Sequence, residues 1–398
     1  MKLKALTVLI AAVLAAPSAF AEDDQARIDK LEQKVAELES QGQVHSWLNR
    51  FNVNGFATVG MGRASNDAGY ADYDNDGFDF ENDSILAVQT SYDVNDDISA
   101  TLQLVTRGRQ DWDLKAEWAF LSYQFDDATT IRGGKLRLPL YMLSDYLEVG
   151  YAYPWARPSE EVYGVIPVST FTGFDVIHVI DFDESALTFQ PIFGESTVDA
   201  DDSRLGLETN FKKVYGLAST YDWDELTLRA SYFHSETDID PVPWLDDKTG
   251  EFYGLGARWD NGDWMVMGEF TRIEVDGQYP DTDSAYIGAT YRYNQFSPYV
   301  MISWVESKDD GERTIPIPGV VSALNVERGT TSAGVRWDFM PNLAVKFDLT
   351  YTDDFDDTSG ALSGNIGTID IPGVGPVPVN TGEYDESFIY SVLIDVVF

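Results

Sequence analysis

Large apolar residues alternate with small or polar ones in the segment Leu343-Ala-Val-Lys-Phe-Asp-Leu-Thr-Tyr351. The same alternation occurs in 287–293, 333–339 and 388–398. Successive side chains of a β-strand point to opposite faces, so each segment has one apolar and one polar face. Strands of about ten residues that end in aromatic residues are typical of membrane β-barrels, whereas soluble sandwiches usually have strands of about 5–6 residues. The pattern therefore predicts an all-β transmembrane barrel.

The connections between these segments alternate in length, and they fix the predicted number of strands. Seven short turns alternate with eight longer loops, so fifteen connections join sixteen antiparallel strands. Short turns on one side and long loops on the other are expected of an outer-membrane barrel, and both chain ends fall on the short-turn side. The predicted turns lie at 95–97, 126–128, 183–185, 224–225, 261–263, 294–296 and 340–342, and the predicted loops at 62–83, 107–114, 138–172, 194–213, 236–251, 273–284, 307–329 and 353–386.

A sheet that spans hydrocarbon must close on itself, because an unpaired backbone N–H or C=O costs several kcal/mol there. The first strand, near 51–61, is therefore expected to pair with the last, 387–398. Residues 203–211 also alternate, and we interpret them as a hairpin arm or extension within the fourth long loop. An 18-stranded barrel remains the alternative.

Two segments precede the predicted barrel domain, 49–398. Residues 1–21 combine an early pair of lysines, an apolar run and an Ala-x-Ala end, which is typical of a cleaved secretory signal peptide. Residues 22–48 carry Ile28, Leu31, Val35 and Leu38 at heptad spacing, which predicts a short α-helical coiled-coil stem. A single amphipathic helix lying on the barrel is the alternative, because two heptads are marginal alone.

The composition excludes several classes of function. Lys and Arg number 27 against 67 Asp and Glu, which gives a formal charge of -40 and argues against a nucleic-acid partner. Cysteine is absent, so there is no disulfide framework, thiolate metal site or cysteine nucleophile. The three histidines, His45, His178 and His234, belong to no recognisable catalytic motif, and we do not expect an enzyme.

Basic residues recur on the predicted inward faces of the strands. An Arg on the lipid side near mid-membrane would cost about 2–4 kcal/mol, which favours the lumen. Left partly unpaired, these cations would attract anions; paired with inward carboxylates such as Glu117, Glu269 and Asp348, they would only satisfy the lumen. The sequence does not decide between these readings. The predicted pore-lining set is Arg107, Arg132, Lys135, Arg137, Arg229, Arg258, Arg292, Arg336 and Lys346.

The loop 138–172 is too apolar for a solvated loop and too rich in proline for a strand. Its aromatic residues, such as Tyr153 and Trp155, need a place to be buried, and the barrel interior is nearest. Folded inward, the loop would narrow the pore and set acidic residues opposite the basic wall; a lid or subunit contact outside the lumen is the alternative. Its other predicted site residues are Asp145, Glu148, Arg157, Glu160 and Glu161.

The first long loop contains a candidate calcium site. Residues 72–83 match the D-x-D-x-D-G start of a calcium-binding loop, with Asp72, Asp74, Asp76 and Asp83 as oxygen ligands. No flanking helices are predicted, so this is not an EF-hand. The alternative is an acidic loop tip that contacts the divalent-ion layer of lipopolysaccharide. No cofactor is expected to be required.

Together these features resemble a known family. The signal sequence, the alternating strands, the long third loop and the terminal Phe398 resemble the trimeric general porins of Gram-negative outer membranes. The motif Arg132-Gly-Gly-Lys135 before Leu138-Pro139 resembles the strand that enters their constriction loop. The stem is similar to that of porins with a periplasmic coiled coil, including the dicarboxylate-channel (DcaP-like) group. The resemblance implies a homotrimer, insertion by the barrel assembly machinery through Phe398, an outer-membrane lipid environment and a periplasmic stem.

Three functions remain as hypotheses. The first is a water-filled porin for passive diffusion of small hydrophilic solutes, leaning to anions such as dicarboxylates, although the acidic composition argues against simple anion selectivity. The second is a plugged structural or adhesive surface barrel. The third is a sugar-specific channel, which would use aromatic stacking by Tyr141, Tyr146, Tyr151, Tyr153 and Trp155.

Overall fold

A computed structural model describes residues 50–398, except 167, 201–207, 241–246, 278, 309–312, 314–324, 357, 365, 372–374 and 381. The predicted signal peptide (1–21) and stem (22–48) lie outside the described residues. Contacts divide the chain into two units, Met1–Phe51 and Asn52–Phe398, and the second unit contains the sheet from Asn52 onward.

Sixteen antiparallel strands form a closed barrel, as predicted. The strands follow one another around the wall in chain order, and the last strand, β18, lies between β15 and β1. The barrel strands are β1 (Phe51–Ala64), β2 (Ile85–Asp93), β3 (Ile98–Arg107), β4 (Lys115–Asp126), β5 (Thr129–Arg137), β6 (Thr170–Asp181), β7 (Ser185–Val198), β8 (Glu208–Trp223), β9 (Leu226–Asp240), β10 (Lys248–Asp260), β11 (Trp264–Val275), β12 (Thr282–Tyr291), β13 (Phe296–Ser307), β14 (Glu327–Met340), β15 (Leu343–Asp353) and β18 (Glu386–Val397).

The first and last strands close the barrel. They pair antiparallel from Phe56 opposite Val397 to Ala64 opposite Ile389. Past the end of β18, the backbone N–H of Gly55 donates to the carbonyl of Phe398 at 2.8 Å, and the N–H of Phe398 donates to the carbonyl of Gly55 at 2.9 Å. The seam thus pairs the backbone groups that an open sheet would leave without partners, and the predicted pairing of first and last strands is confirmed.

The described residues contain two further strands, which do not enlarge the barrel. The strands β16 (Ile366–Ile371) and β17 (Gly375–Asn380) form a separate hairpin within the connection from β15 to β18. Residues 208–211 are an extension of β8, which shifts register between Lys212 and Tyr215; the rest of 203–211 lies outside the described residues. The alternative of an 18-stranded barrel is therefore wrong.

Each of the seven predicted turns joins two neighbouring strands. Several of these turns contain residues that favour a tight reversal of the chain direction. Asn294, Asn342 and Gly262 adopt positive φ angles of 54°, 68° and 89°, a conformation that Asn and Gly accept more readily than other residues. In the first turn, the side chain of Asn95 accepts hydrogen bonds from the backbone N–H groups of Asp97 and Ile98 at 2.9 and 2.7 Å.

The two faces of the wall have different compositions. Along β13, Val300, Ile302 and Trp304 are exposed on the outer face, and Met301 and Ser303 between them are buried on the inner face. The described residues contain one short α-helix, α1 (Glu160–Tyr163), and no helix among them is long and apolar enough to cross a membrane. The apolar outer face is the surface expected to contact lipid.

This assignment of faces predicts a charge penalty on the outer side of β13. Ile302→Arg should destabilise the barrel in phospholipid vesicles by about 2–4 kcal/mol, because it places a cation in hydrocarbon. Ile302→Ala, which removes apolar contacts without adding charge, serves as the control. Urea unfolding checks the result, and equal stability of the Arg and Ala variants would contradict a lipid-facing Ile302.

Candidate functional site: the lumen and its inward-folded loop

The connection between β5 and β6, residues 138–169, lies inside the barrel, and we call it the lumen loop. Its Met142 N–H donates to Glu269 on β11 at 2.8 Å, while its Glu148 forms an ion pair with Arg107 on β3. β3 and β11 are eight places apart in the ring of sixteen strands, so they lie on opposite sides of the wall. A segment that touches both sides of a closed wall must cross its interior.

The lumen loop leaves the wall where Leu138-Pro139 follows β5, because proline cannot continue the strand pairing. It then forms 3-10 turns at Ser144–Tyr146 and Gly150–Ala152 and the helix α1. Tyr141, Tyr153 and Trp155 are buried, with exposed fractions of 5%, 6% and 1%. The aromatic residues therefore pack in the lumen, as the loop's composition led us to expect.

Lys346 on β15 fixes the middle of the lumen loop. Its ammonium group donates to the carbonyls of Gly150 at 2.6 Å and Trp155 at 2.7 Å, and it lies 3.0 Å from the Asp395 carboxylate on β18. Nearby, the Trp155 ring occupies the space where a side chain at Gly288 would point; a Cβ there would come within 2.8 Å of the ring. Lys346 is fully buried, so it holds the loop and is not exposed to solutes.

A second fixed point is Arg157, also predicted as a site residue. Its guanidinium lies 2.7 Å from Asp83 of the β1–β2 loop and 3.4 Å from Asp348 on β15. It also donates to the Ser391 hydroxyl at 2.8 Å. Burial alone would raise the pKa of Asp83, but Arg157 and a hydrogen bond from Tyr73 bring it below its ordinary value. Asp83 therefore serves as an ion-pair partner.

The third fixed point is Glu161, in α1. Its carboxylate accepts hydrogen bonds from Arg328 and Thr330 on β14, each at 2.8 Å, and from Ser303 on β13 at 2.7 Å. Tyr70 of the β1–β2 loop donates to it as well, at 3.3 Å. Although burial opposes ionisation, these partners hold the pKa of Glu161 below its usual range.

Five of the predicted wall cations have carboxylate partners, and two of these five also donate hydrogen bonds to backbone carbonyls of the lumen loop. Arg107 and Arg137 share Glu117 on β4 and Glu148 of the loop. Arg132 donates to Asp175 on β6 through its Nε at 2.9 Å. The two remaining members of this group are Lys346, described above, and Arg336, which pairs with Asp338 at 2.9 Å and donates to the carbonyls of Tyr151 and Tyr153 at 2.7 and 3.2 Å.

Of the other three wall arginines, two share one carboxylate and the third has no carboxylate partner among the described residues. Arg258 on β10 and Arg292, in the turn after β12, both pair with Asp260, at 2.5 and 2.6 Å. Arg229 on β9 donates to the Pro139 carbonyl at 2.7 Å and to Thr220 at 3.0 Å, and forms no ion pair with any described residue. Side chains of Arg258 and Arg292 remain 38% and 37% exposed. Asp145 and Glu269 act electrostatically on Arg229, but direct ion pairs leave these three arginines only partly paired.

Lys135 does not belong to the lumen wall. The register places it opposite Ala119 on one side and Thr172 on the other, and Leu102 lies opposite Ala119. Residues directly opposite one another across strands share a face, and Leu102 is exposed on the outer face. The prediction that Lys135 lines the pore was therefore wrong: Arg132 faces the lumen, and Lys135 lies three positions further along β5, where regular alternation gives the opposite face.

The free edge of the lumen loop runs from Asp145 to Ala152. These two residues are exposed, and Tyr146, Leu147, Glu148, Val149 and Tyr151 are half-buried along the edge. Burial raises the pKa of Tyr146, and the positive charge of Arg258 partly offsets this effect. Glu160, predicted to face the wall, is half-buried in the first turn of α1 and not part of the free edge.

The structure gives the predicted calcium site no geometric support. Within the described residues, no group of three or more His, Asp or Glu side chains is close enough to hold a metal ion. Asp83 is engaged by Arg157 and Tyr73, while the side chain of Asp74 accepts from the N–H of Asp76 at 3.0 Å. Calcium binding by Asp72, Asp74, Asp76 and Asp83 stays a prediction.

Sequence reasoning missed the partners that anchor the loop. Asp395 and Arg328 lie on inward positions of β18 and β14, and strand parity alone could have identified them. Tyr70 and Tyr73 come from the β1–β2 loop, which packs with Phe355, Leu362 and Ile389. No local sequence signal indicates that this loop would reach the lumen loop.

Comparisons with known proteins agree with this architecture. A family model described as Gram-negative porin matches residues 5–358. No curated protein matches the sequence. The anion-selective porin from Comamonas acidovorans is similar in structure (15% identity; 87% of this chain and 99% of that chain covered; TM-score 0.56). So are the outer membrane channel DcaP of Acinetobacter baumannii (12%; 87% and 97%; 0.56) and the trimer form of OmpT of Vibrio cholerae (12%; 87% and 99%; 0.54).

The buried ion pair between Lys346 and Asp395 predicts that removing one partner lowers the stability of the barrel more than removing both. Lys346→Met should destabilise the barrel by about 3–5 kcal/mol, because it leaves the buried Asp395 carboxylate without its cation. Lys346→Met/Asp395→Asn should recover part of this loss, since neither partner of the pair is then charged, although the Gly150 and Trp155 carbonyls still lack their donor. Urea unfolding followed by tryptophan fluorescence checks both variants, and a double variant no more stable than Lys346→Met would contradict the ion pair.

Proposed function

The chain belongs to the Gram-negative porin family, and we propose that it forms an anion-preferring, water-filled channel in the outer membrane for small hydrophilic solutes. One observation carries the anion preference: Arg258 and Arg292 share the single carboxylate Asp260, and Arg229 forms no ion pair with a described residue. Rings of charged side chains set ion selectivity when they are left partly unpaired. Dicarboxylates, expected from the family resemblance, are among the anions this field would attract.

Solvent exposure within the barrel supports a passage. Asp145 and Ala152 are exposed although they belong to a loop that the wall surrounds. An exposed residue inside a closed wall faces a water-accessible space, which argues against the plugged structural or adhesive barrel. The lumen loop narrows this space, since it contacts the wall on opposite sides.

The sugar-channel alternative receives less support. Three of its five aromatic residues, Tyr141, Tyr153 and Trp155, are buried in the core of the lumen loop and offer no free ring face. Only Tyr146 and Tyr151 remain half-buried at the free edge, and the Tyr151 ring already lies 4.5 Å from the Arg336 guanidinium carbon. A stacking path of consecutive aromatic rings is therefore not formed.

We further propose a homotrimer, in line with the trimer form of the structurally similar OmpT of Vibrio cholerae. The exposed terminal Phe398 is the proposed signal for the barrel assembly machinery. Contact with lipopolysaccharide on the long-loop side, and a periplasmic stem formed by 22–48, complete the proposal.

Charge reversal tests the anion preference. Arg292→Glu should shift the reversal potential in a potassium chloride gradient toward cations, because it removes a cation and leaves Asp260 with one partner fewer. Lys135→Glu makes the same change of charge on the outer face and should leave the reversal potential unchanged. Planar-bilayer recordings check both, and equal reversal potentials of Arg292→Glu and the unaltered protein would contradict the proposal.

Single cysteines test whether the free edge lines the passage. The chain contains no cysteine, so Ala152→Cys introduces the only thiol. A negatively charged methanethiosulfonate reagent should reduce its single-channel current, because the added group occupies the passage. Ile302→Cys, on the outer face, provides the control. A current through Ala152→Cys that the reagent leaves unchanged would place the free edge away from the permeation path.

A further inference from the structure

Arg229 and Arg258 are neighbours on the inner wall. The register pairs Arg229 with Gly256 and Thr227 with Arg258, so the two arginines occupy diagonal positions on adjacent strands. Diagonal positions on one face are about 7–8 Å apart, within reach of long side chains. Two guanidinium groups at this spacing can approach one small anion between them.

Both arginines have an N–H group without an acceptor. Arg229 uses its two terminal nitrogens for Thr220 and the Pro139 carbonyl, and Arg258 uses one for Asp260. The Nε atoms of Arg229 and Arg258 are buried and donate to no acceptor among the described residues. A buried donor without an acceptor is unfavourable, and the Nε edge of a guanidinium is suited to a carboxylate.

Nearby carboxylates do not meet this need. Glu269 accepts hydrogen bonds from Tyr286 at 2.9 Å, from Met142 N–H and from Tyr163, and from no arginine among the described residues. Asp145 is exposed on the free edge and forms no ion pair with a described residue. Asp145 and Glu269 act electrostatically on Arg229, but both arginines keep an Nε–H donor that has no acceptor among the described residues.

Apolar groups of the lumen loop lie beside the two arginines. Gly256, opposite Arg229, has no side chain, and the Met142 side chain fills that space: a Cβ at Gly256 would lie 2.8 Å from the Met142 sulfur. Tyr146 and Leu147 are half-buried and pack, like Met142, against the apolar cluster formed by the lumen loop and the wall. The surroundings thus combine two cations with thioether, phenol and aliphatic surface.

We propose that Arg229, Arg258, Met142, Tyr146 and Leu147 form a binding subsite for monocarboxylates with an aromatic or apolar body. The carboxylate binds the guanidinium groups, and the body packs on the loop side chains. A second carboxylate on the same solute would lie against this apolar surface and near Asp145, which disfavours dicarboxylates at the subsite. The inference rests on the proposed channel function and names the solute class that the passage prefers.

Permeability ratios measured with the full-length protein in planar bilayers test the subsite. Under bi-ionic conditions against chloride, benzoate should be more permeant than glutarate. Tyr146→Ser should lower the ratio of benzoate to glutarate permeability about two- to tenfold, which corresponds to loss of one aromatic contact. Tyr151→Ser removes an aromatic residue elsewhere on the same free edge and should leave the ratio unchanged.

Arg229→Gln provides the second variant. It should reduce benzoate permeability relative to chloride, whereas Tyr146→Ser should keep the anion preference in a potassium chloride gradient. Benzoate no more permeant than glutarate in the unaltered protein, or an unchanged ratio in Tyr146→Ser, would overturn the subsite while the anion preference persisted. Absence of any anion preference in the unaltered protein would instead overturn the proposed function.

Discussion

The structure depends on the need to pair every backbone N–H and C=O within hydrocarbon. The pairing of β1 with β18 meets this need, because it closes the sheet and leaves the wall without an edge. Closure has a second consequence. A ring of sixteen strands is too wide for wall side chains to fill, so the interior admits water or another part of the chain. Both occur here, since the lumen loop occupies part of the interior and leaves Asp145 and Ala152 exposed.

Burying an apolar loop in a polar lumen creates a problem of attachment. The loop backbone contains carbonyl and N–H groups that no neighbouring strand pairs. Long charged side chains of the inner wall form hydrogen bonds with several of these groups. Lys346 and Arg336 bind loop carbonyls, and Glu269 accepts a loop N–H. Buried charges are costly unless each is matched, and these cations accordingly have carboxylate partners such as Asp395 and Asp338. Most of the basic wall is therefore committed to holding the loop.

The sequence was sufficient to predict the barrel, but it was not sufficient to predict which charged side chains pair with one another. Alternation with period two and the alternating loop lengths determine the strand number, because both follow directly from local geometry and from the membrane. The pairing of Arg157 with Asp83 joins residues 74 positions apart. Only the folded loop decides such contacts, so the sequence left open which arginines were neutralised. Lys135 was a different kind of error, since strict alternation from the inward Arg132 already places it on the outer face.

The overall charge of -40 does not oppose a local preference for anions. In water of physiological ionic strength, exposed charges farther away than about 8 Å are largely screened. Acidic residues in surface turns, such as those at 95–97 and 183–185, therefore have little effect on an ion within the lumen. Arg229, Arg258 and Arg292 belong to the wall around the lumen, and in the proposed channel they would act on an ion at short range, where screening is weaker. A strongly acidic overall composition is thus compatible with the proposed anion preference, because selectivity follows the few charges that an ion meets directly.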